Sequence, residues 1–168
     1  MQTQFTVRVL KEADWQTYRD MRLTALEESP EAFAAAYATE KTYEEALWRE
    51  RMRRAVRLVA SDEGTDVGIV SIGEAPVEFD DAAELFGLWV RPELRGAGVA
   101  KDLVIVAGQE ASRLGRRLLV YWVSTENGRA VAFASGRGFR PTELRRPMGG
   151  ENPDSAEEVA MILSLGSR

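Results

Sequence analysis

The stretch from Val90 to Leu103, VRPELRGAGVAKDL, constrains this chain more than any other. Residues 84–90 before it (ELFGLWV) form a β-like run. Residues 98–114 after it carry Val99, Leu103, Val106, Ala107 and Leu114 on one helical face. A strand ends, Pro92 forces a turn, and a helix begins among glycines. Gly96 and Gly98 have no side chains, so the backbone there can approach a ligand closely. The first N–H groups of a helix lack partners, and the dipole is positive at that end. Together these features suit a phosphate or pyrophosphate, and Arg95 adds charge. The spacing alone is equally compatible with an ordinary glycine turn before a helix. A dinucleotide fingerprint would need glycine at position 101, where Lys101 stands, and the Gly-Lys-Ser/Thr of a Walker loop is missing.

Around this loop the periodicity gives an order β α α β β β α β α β β. Residues 5–10 (FTVRVL) alternate as a strand. Residues 14–28 form a helix, with Asp14 as its cap and Trp15, Tyr18, Met21/Arg22 and Ala25/Leu26 facing inward. Ser29-Pro30 breaks it, and residues 31–38 are a short helix or turn. Residues 43–56 make a further helix carrying Leu47, Trp48 and Met52. Strands follow at 57–61 and 66–75, joined by a turn at Asp62-Glu63-Gly64. Gly115 caps the helix over 98–114. Residues 117–124 (RLLVYWVS) form a mostly apolar strand of the kind covered on both faces. A short helix over 128–137, a strand from Gly138-Phe139 and a last strand over 158–165 complete a mixed α/β domain.

The chain of 168 residues suits a single domain, 1–168. It contains no cysteine and no histidine, which excludes thiolate chemistry and imidazole bases or ligands. Proton transfer therefore falls to Glu, Asp, Tyr, Lys, Ser or water. A net charge of -5 argues against a nucleic-acid partner. No apolar run reaches membrane-spanning length, and the first residues do not read as a signal peptide. The expected location is the cytoplasm, with no membrane partner and no metal.

Val90-Arg91-Pro92-Glu93-Leu94-Arg95-Gly96-Ala97-Gly98-Val99-Ala100 resembles the acyl-CoA signature of the GNAT superfamily of N-acetyltransferases, with Arg95, Gly98 and Ala100 at its fixed positions. Downstream, Asn127-Gly128-Arg129-Ala130-Val131-Ala132-Phe133, ending at Gly138-Phe139, resembles that family's asparagine helix and its glycine-phenylalanine exit. The resemblance implies a mixed, mostly antiparallel sheet with a central pair of parallel strands that splay apart, and helices on both faces. It implies acetyl-CoA, or another short acyl-CoA, as cosubstrate. Leu88 and Val90 would pair through their backbone with the pantetheine arm and polarise the thioester carbonyl. Arg95, Gly96, Ala97, Gly98, Val99 and Ala100 would surround the pyrophosphate. The family often has a basic residue where Ala97 stands, and Lys101 is the available substitute for a 3′-phosphate contact. Asn127 would contact the pantetheine, cap its helix, or do both.

The implied reaction is direct attack of a primary amine of a small molecule or peptide on the thioester, in a ternary complex. Glu84, six residues before Val90, matches a frequent position of the catalytic glutamate. Its other reading is a solvated strand-end carboxylate beside Asp80 and Asp81. The tyrosine that protonates the leaving thiolate in many members is replaced by Ala134, with Ser135 and Tyr121 nearby. This departure raises an alternative: a non-catalytic acyl-CoA-binding module that senses or scaffolds. Acylation of a protein N-terminus or an aminoacyl-tRNA is a third reading. Members of the family are often homodimers.

Arg49, Arg53 and Arg57 recur at helical spacing with Arg51 and Arg54 nearby, and the expected reading is a solvated face paired with Glu44, Glu45 and Glu50. An RNA patch is the rival reading. Trp15, Trp48, Trp89 and Trp122 are expected in the core. Glu27, Glu28 and Glu31, with Phe33 and Tyr37, surround the break where the family places its acceptor loop. Acidic residues there would favour a cationic amine.

Overall fold

Glu63 and Gly64 take positive φ angles of 49° and 87°, and this two-residue turn joins antiparallel strands whose register closes at Asp62 opposite Thr65. The computed structural model describes residues 4–30, 33, 36–147 and 157–166. Within them the chain forms β1 (Thr6–Val9), α1 (Trp15–Glu28), α2 (Tyr37–Glu40), α3 (Glu45–Arg54), β2 (Val56–Asp62), β3 (Thr65–Glu74) and β4 (Ala82–Val90). There follow α4 (Val99–Arg113), β5 (Leu118–Ser124), α5 (Gly128–Gly136), β6 (Arg140–Pro147) and β7 (Glu157–Ser164). The order agrees with the periodicity except for the four-residue α2, which adds a third helix before β2. The seven described strands are hydrogen-bonded in the order β1-β2-β3-β4-β5-β7-β6. The central pair, β4 with β5, is parallel, while β1–β2, β2–β3, β5–β7 and β6–β7 are antiparallel. Among the described residues, no helix is long and apolar enough to cross a membrane.

The chain divides into two compact units, Met1–Gly73 with Gly87–Ala107, and Glu74–Phe86 with Gly108–Arg168. In the first, Leu58, Val59 and Ala60 are all fully buried, as in a strand covered on both faces. Consecutive residues of β3 show the two coverings. A Cβ on Gly68 would lie 3.0 Å from Val99 and 3.1 Å from Leu103, so α4 rests directly against the backbone there. Ile69 points the other way and joins Trp15, Tyr18, Met21, Trp48 and Met52 in one core cluster. In this unit, therefore, helices lie on both faces. The inward set of α1 is as expected, because Trp15, Tyr18, Met21 and Ala25 recur every three or four residues.

In the second unit, β4 runs beside β5 from Ala82 opposite Leu118 to Leu85 opposite Tyr121. Alternation then divides β5. Leu119 faces Gly108 of α4, and Tyr121 meets the ring of Phe139 at 5.9 Å. On the other face Val120 packs with Ala82 and Ala160. Both helix exits use glycine. Gly115 takes φ 86° after α4, and Arg116 N–H reaches back to Ala111 O at 2.9 Å. Gly138 takes φ 97° after α5, and Phe139 N–H reaches Ala134 O at 3.0 Å. Each is a six-to-one closure that only a left-handed residue permits cheaply.

Three local expectations are corrected. Asp14 does not cap α1 with its side chain; its carboxylate accepts from Lys11 N–H at 2.8 Å and closes the short turn before the helix. Leu114 is exposed because α4 ends at Arg113. Arg57 belongs to β2 rather than to a helix face, and it is buried, donating to Ser71 and to the Arg51 carbonyl. The remaining arginines of α3 partly follow expectation. Arg49 pairs with Glu45 and Arg54 with Glu50, but Arg49 and Arg53 also reach Glu12, and Arg51 reaches the buried Glu40. Glu31 lies outside the described residues, as does part of the expected turn over 31–38.

Candidate active site

In the first unit the end of β4 is anchored to β3 from two directions. Arg91 N–H donates to Val67 O at 2.8 Å, and its Nε donates to Asp66 O at 2.8 Å. The chain then winds through a 3-10 turn at Pro92–Leu94. Gly96 and Gly98 follow with φ of 87° and 103°, a region that L side chains rarely enter. The first bond of α4 runs from Asp102 N–H to Gly98 O at 3.1 Å. The amides of Val99, Ala100 and Lys101 thus lead the helix with no carbonyl behind them. The sequence supplies no cap either, since Gly98 has no side chain and Lys101 has no carboxylate where a capping box needs one. Among the described residues, space is open beside the loop: a Cβ on Gly96 would meet nothing within 4 Å, and one on Gly98 would meet only Gln4 at 3.4 Å. These amides, the helix dipole and the free space fit a phosphate.

Two polar anchors brace this loop. Arg95 spends its guanidinium on structure: Nε donates to Val90 O at 3.1 Å and Nη2 to Ser29 Oγ at 3.1 Å. Ser29 also accepts from Trp89 Nε1 at 3.1 Å, so one buried hydroxyl ties the end of α1 to the end of β4. Asp102, 2% exposed, accepts from the N–H groups of Gln4 and Phe5 at 2.7 and 2.8 Å. Its charge lies in the first turn of α4, where the dipole favours it.

In the second unit the chemistry gathers around Glu84. Its partner in register is Val120, so it shares a face of the sheet with Trp122, whose Nε1 donates to Glu84 Oε1 at 3.2 Å. Burial pushes the Glu84 carboxyl above the ordinary carboxylate range. The positive charge of Arg146 and the Trp122 hydrogen bond oppose this, and Glu158 adds to it. A half-buried carboxyl of raised pKa is the form a general base takes near neutral pH. Asn127 caps α5, its Oδ1 accepting from Ala130 N–H at 3.1 Å. Ala134 is fully buried and Ser135 exposed. Tyr121 points to the opposite face from Glu84, and burial, then Glu158, pushes its hydroxyl up.

Residues 15–139 match the Acetyltransferase (GNAT) family. The chain belongs to this family. An uncharacterized N-acetyltransferase of Methanocaldococcus jannaschii is 34% identical over 68 residues, a match spanning 40% of this chain and 30% of that relative. Among solved structures, yncA from Salmonella typhimurium, with its cofactor acetyl-CoA, superposes with a TM-score of 0.72 at 21% identity, covering 99% of this chain and 96% of that one. A spermidine N-acetyltransferase chimera of Vibrio cholerae SpeG and hSSAT gives 0.71 at 21%, covering 97% and 96%. A ribosomal-protein-alanine N-acetyltransferase from Brucella melitensis gives 0.69 at 20%, covering 95% and 99%. These similarities share the GNAT fold.

Of the GNAT positions expected from sequence, Leu88, Val90, Arg95, Gly96, Ala97, Gly98, Val99 and Ala100 lie in the first unit. Glu84 and Asn127 lie in the second. Glu84 and Leu88 are four residues apart on β4. Among the described residues, no group of three or more Asp or Glu side chains is placed to hold a metal ion. Ser29, Asp102, Arg146 and Glu158 were not singled out by sequence. Trp122, which the sequence places in the core, is only partly buried and donates to Glu84.

Proposed function

We propose that this chain is an N-acyltransferase that moves an acetyl or other short acyl group from acyl-CoA to a primary amine of a small molecule or peptide. The observation that carries the reading is the loop before α4: two left-handed glycines, uncapped amides and open space. Gly96, Gly98, Val99 and Ala100 would hold the pyrophosphate through backbone N–H groups, and Ala97, whose own N–H donates to Leu94 O at 3.2 Å, would line it. Arg95, committed to Val90 O and Ser29, would hold the loop in shape rather than grip the anion. Backbone groups at Leu88 and Val90 would bind the pantetheine arm and polarise the thioester.

Acyl-CoA supplies an activated carbonyl, and the chain must supply a route for the amine's proton. Glu84 is the candidate base, taking that proton directly or through water. The acid is assigned to solvent. Ala134 offers no hydroxyl, and Tyr121 is turned away from the Glu84 face with its proton held more tightly than usual. The same Ala134 favours a second reading, in which the chain binds acyl-CoA and does not transfer it.

Calorimetry with acetyl-CoA tests the binding step. A thiol-release assay across polyamines, small primary amines and peptide N-termini tests transfer. The chain has no cysteine of its own, so free CoA is the only thiol the assay reads. The expected result is binding, and turnover with at least one amine that Glu84→Gln abolishes while binding persists. No binding at millimolar acetyl-CoA overturns the reading; binding without turnover favours the second one.

A further inference from the structure

Glu84 is one of four side chains that four strands present on one face of the second unit. Register aligns them: Glu84 lies opposite Val120, Ser124 opposite Glu158, and Arg146 opposite Glu158. Positions 120, 122 and 124 of β5 share a face by alternation. Trp122 Nε1 donates to Glu84 Oε1 at 3.2 Å. The Arg146 guanidinium sits 4.1 Å from the centre of the Trp122 ring, and its Nε donates to Glu158 Oε1 at 2.9 Å. Contacts therefore run from Glu158 to Arg146 to Trp122 to Glu84.

We propose that Trp122 is a positioning residue for Glu84, that Arg146 clamps Trp122 by stacking on its indole, and that Glu158 keeps the Arg146 guanidinium off the Glu84 carboxylate. This rests on the reading of Glu84 as the base. The indole N–H is a donor with no proton to give up near neutral pH. By binding Oε1 it fixes the carboxylate plane and turns Oε2, which has no hydrogen bond among the described residues, toward an incoming proton.

The role of Glu158 follows from a contrast within this chain. Glu40 is buried as well, but Arg22 and Arg51 bond it directly. Their hydrogen bonds outweigh the burial and hold its carboxyl below the ordinary range. Glu84 has a neutral donor instead of an arginine, and its carboxyl lies above that range. Among the described residues, the charged groups facing Glu84 are Arg146 from β6 and Glu158 from β7, while β5 presents the neutral Trp122. An Arg146 freed from Glu158 would be able to turn the Glu84 site into a second Glu40.

The test titrates the Glu84 side-chain carboxyl by carbon NMR in the full chain, alongside the pH profile of kcat/KM. Trp122→Phe removes a stabilising donor and should move the titration up. It should also lower kcat by roughly one to two orders of magnitude through misorientation, with KM for acetyl-CoA unchanged. Arg146→Gln, at a half-exposed site on β6, should also move it up. Glu158→Gln should move it down. This opposite sign separates the arrangement from a general structural role, which would not sort the variants by charge. A Glu84 titration unmoved in all three, or moved the same way by Arg146→Gln and Glu158→Gln, overturns the proposal even if Glu84→Gln is inactive. A Glu84→Gln enzyme with full turnover overturns the assignment of the base, and this inference with it.

Discussion

Replacing Glu40 with glutamine removes the one carboxylate that, among the described residues, Arg22 and Arg51 share. The three side chains are only 5%, 13% and 14% exposed. Arg22 makes two bonds of 3.1 Å and Arg51 one of 2.8 Å. Glutamine can accept at one oxygen, but its amide then points N–H groups at guanidinium donors. Breaking a buried ion pair from one side costs about 3–5 kcal/mol, because the remaining charge stays buried without its partner. For a chain of this size each kcal/mol is worth roughly 2–4 °C, so the melting temperature should fall by roughly 6–20 °C. A thermal melt measures the shift in melting temperature, and urea unfolding of both proteins across pH 3–7 measures the loss of free energy. The sign follows from the depressed carboxyl: its stabilisation is complete above the ordinary value of 4.5 and is lost as pH falls through the lower folded value. The gap between wild type and variant should be constant from pH 7 to about 5 and should close in more acid solution. A loss below about 1 kcal/mol at pH 7, typical of an exposed pair, or a gap unchanged down to pH 3, would refute the reasoning.

Two further substitutions probe the loop and the contact beneath it. Gly98→Trp forces an L residue into a φ of 103° and puts an indole in the space beside the leading amides of α4; calorimetry should show acetyl-CoA binding lost, and unchanged affinity would make the loop purely structural. Gly68→Ala puts a methyl 3.0–3.1 Å from Val99, Leu103 and the Trp89 carbonyl. Overpacking of about 1–3 kcal/mol should exceed the ~0.4–1 kcal/mol gained by stiffening the unfolded chain, so denaturant melts should show net destabilisation, and a more stable variant contradicts the close approach of α4 to β3.

What the sequence determined alone was local. Positive φ at Gly96, Gly98, Gly115 and Gly138, the uncapped start of α4 and the Asn127 cap are each decided within a few residues, by the absence of a Cβ or by one side chain reaching its own backbone. The inward stripe of α1 and the alternation of the strands are equally local. From these came the element order apart from α2; the family came from the resemblance carried by residues 90–100 and 127–139. The tertiary structure decided which strands meet. The last strand, β7, inserts between β5 and β6, and this brings Glu158 and Arg146 to Trp122 and Glu84. Nothing in the spacing of residues 84, 122, 146 and 158 announces that contact, because strand order is settled by burial across the sheet rather than by neighbours in the chain. The same holds for the surroundings of Arg57: the strand over 57–61 was legible, but its burial against Ser71 and the Arg51 carbonyl was not. It holds also for Asp102, whose partners lie nearly a hundred residues away in sequence. The loop that opens α4 was legible from its own residues; the surroundings that raise the Glu84 carboxyl were not.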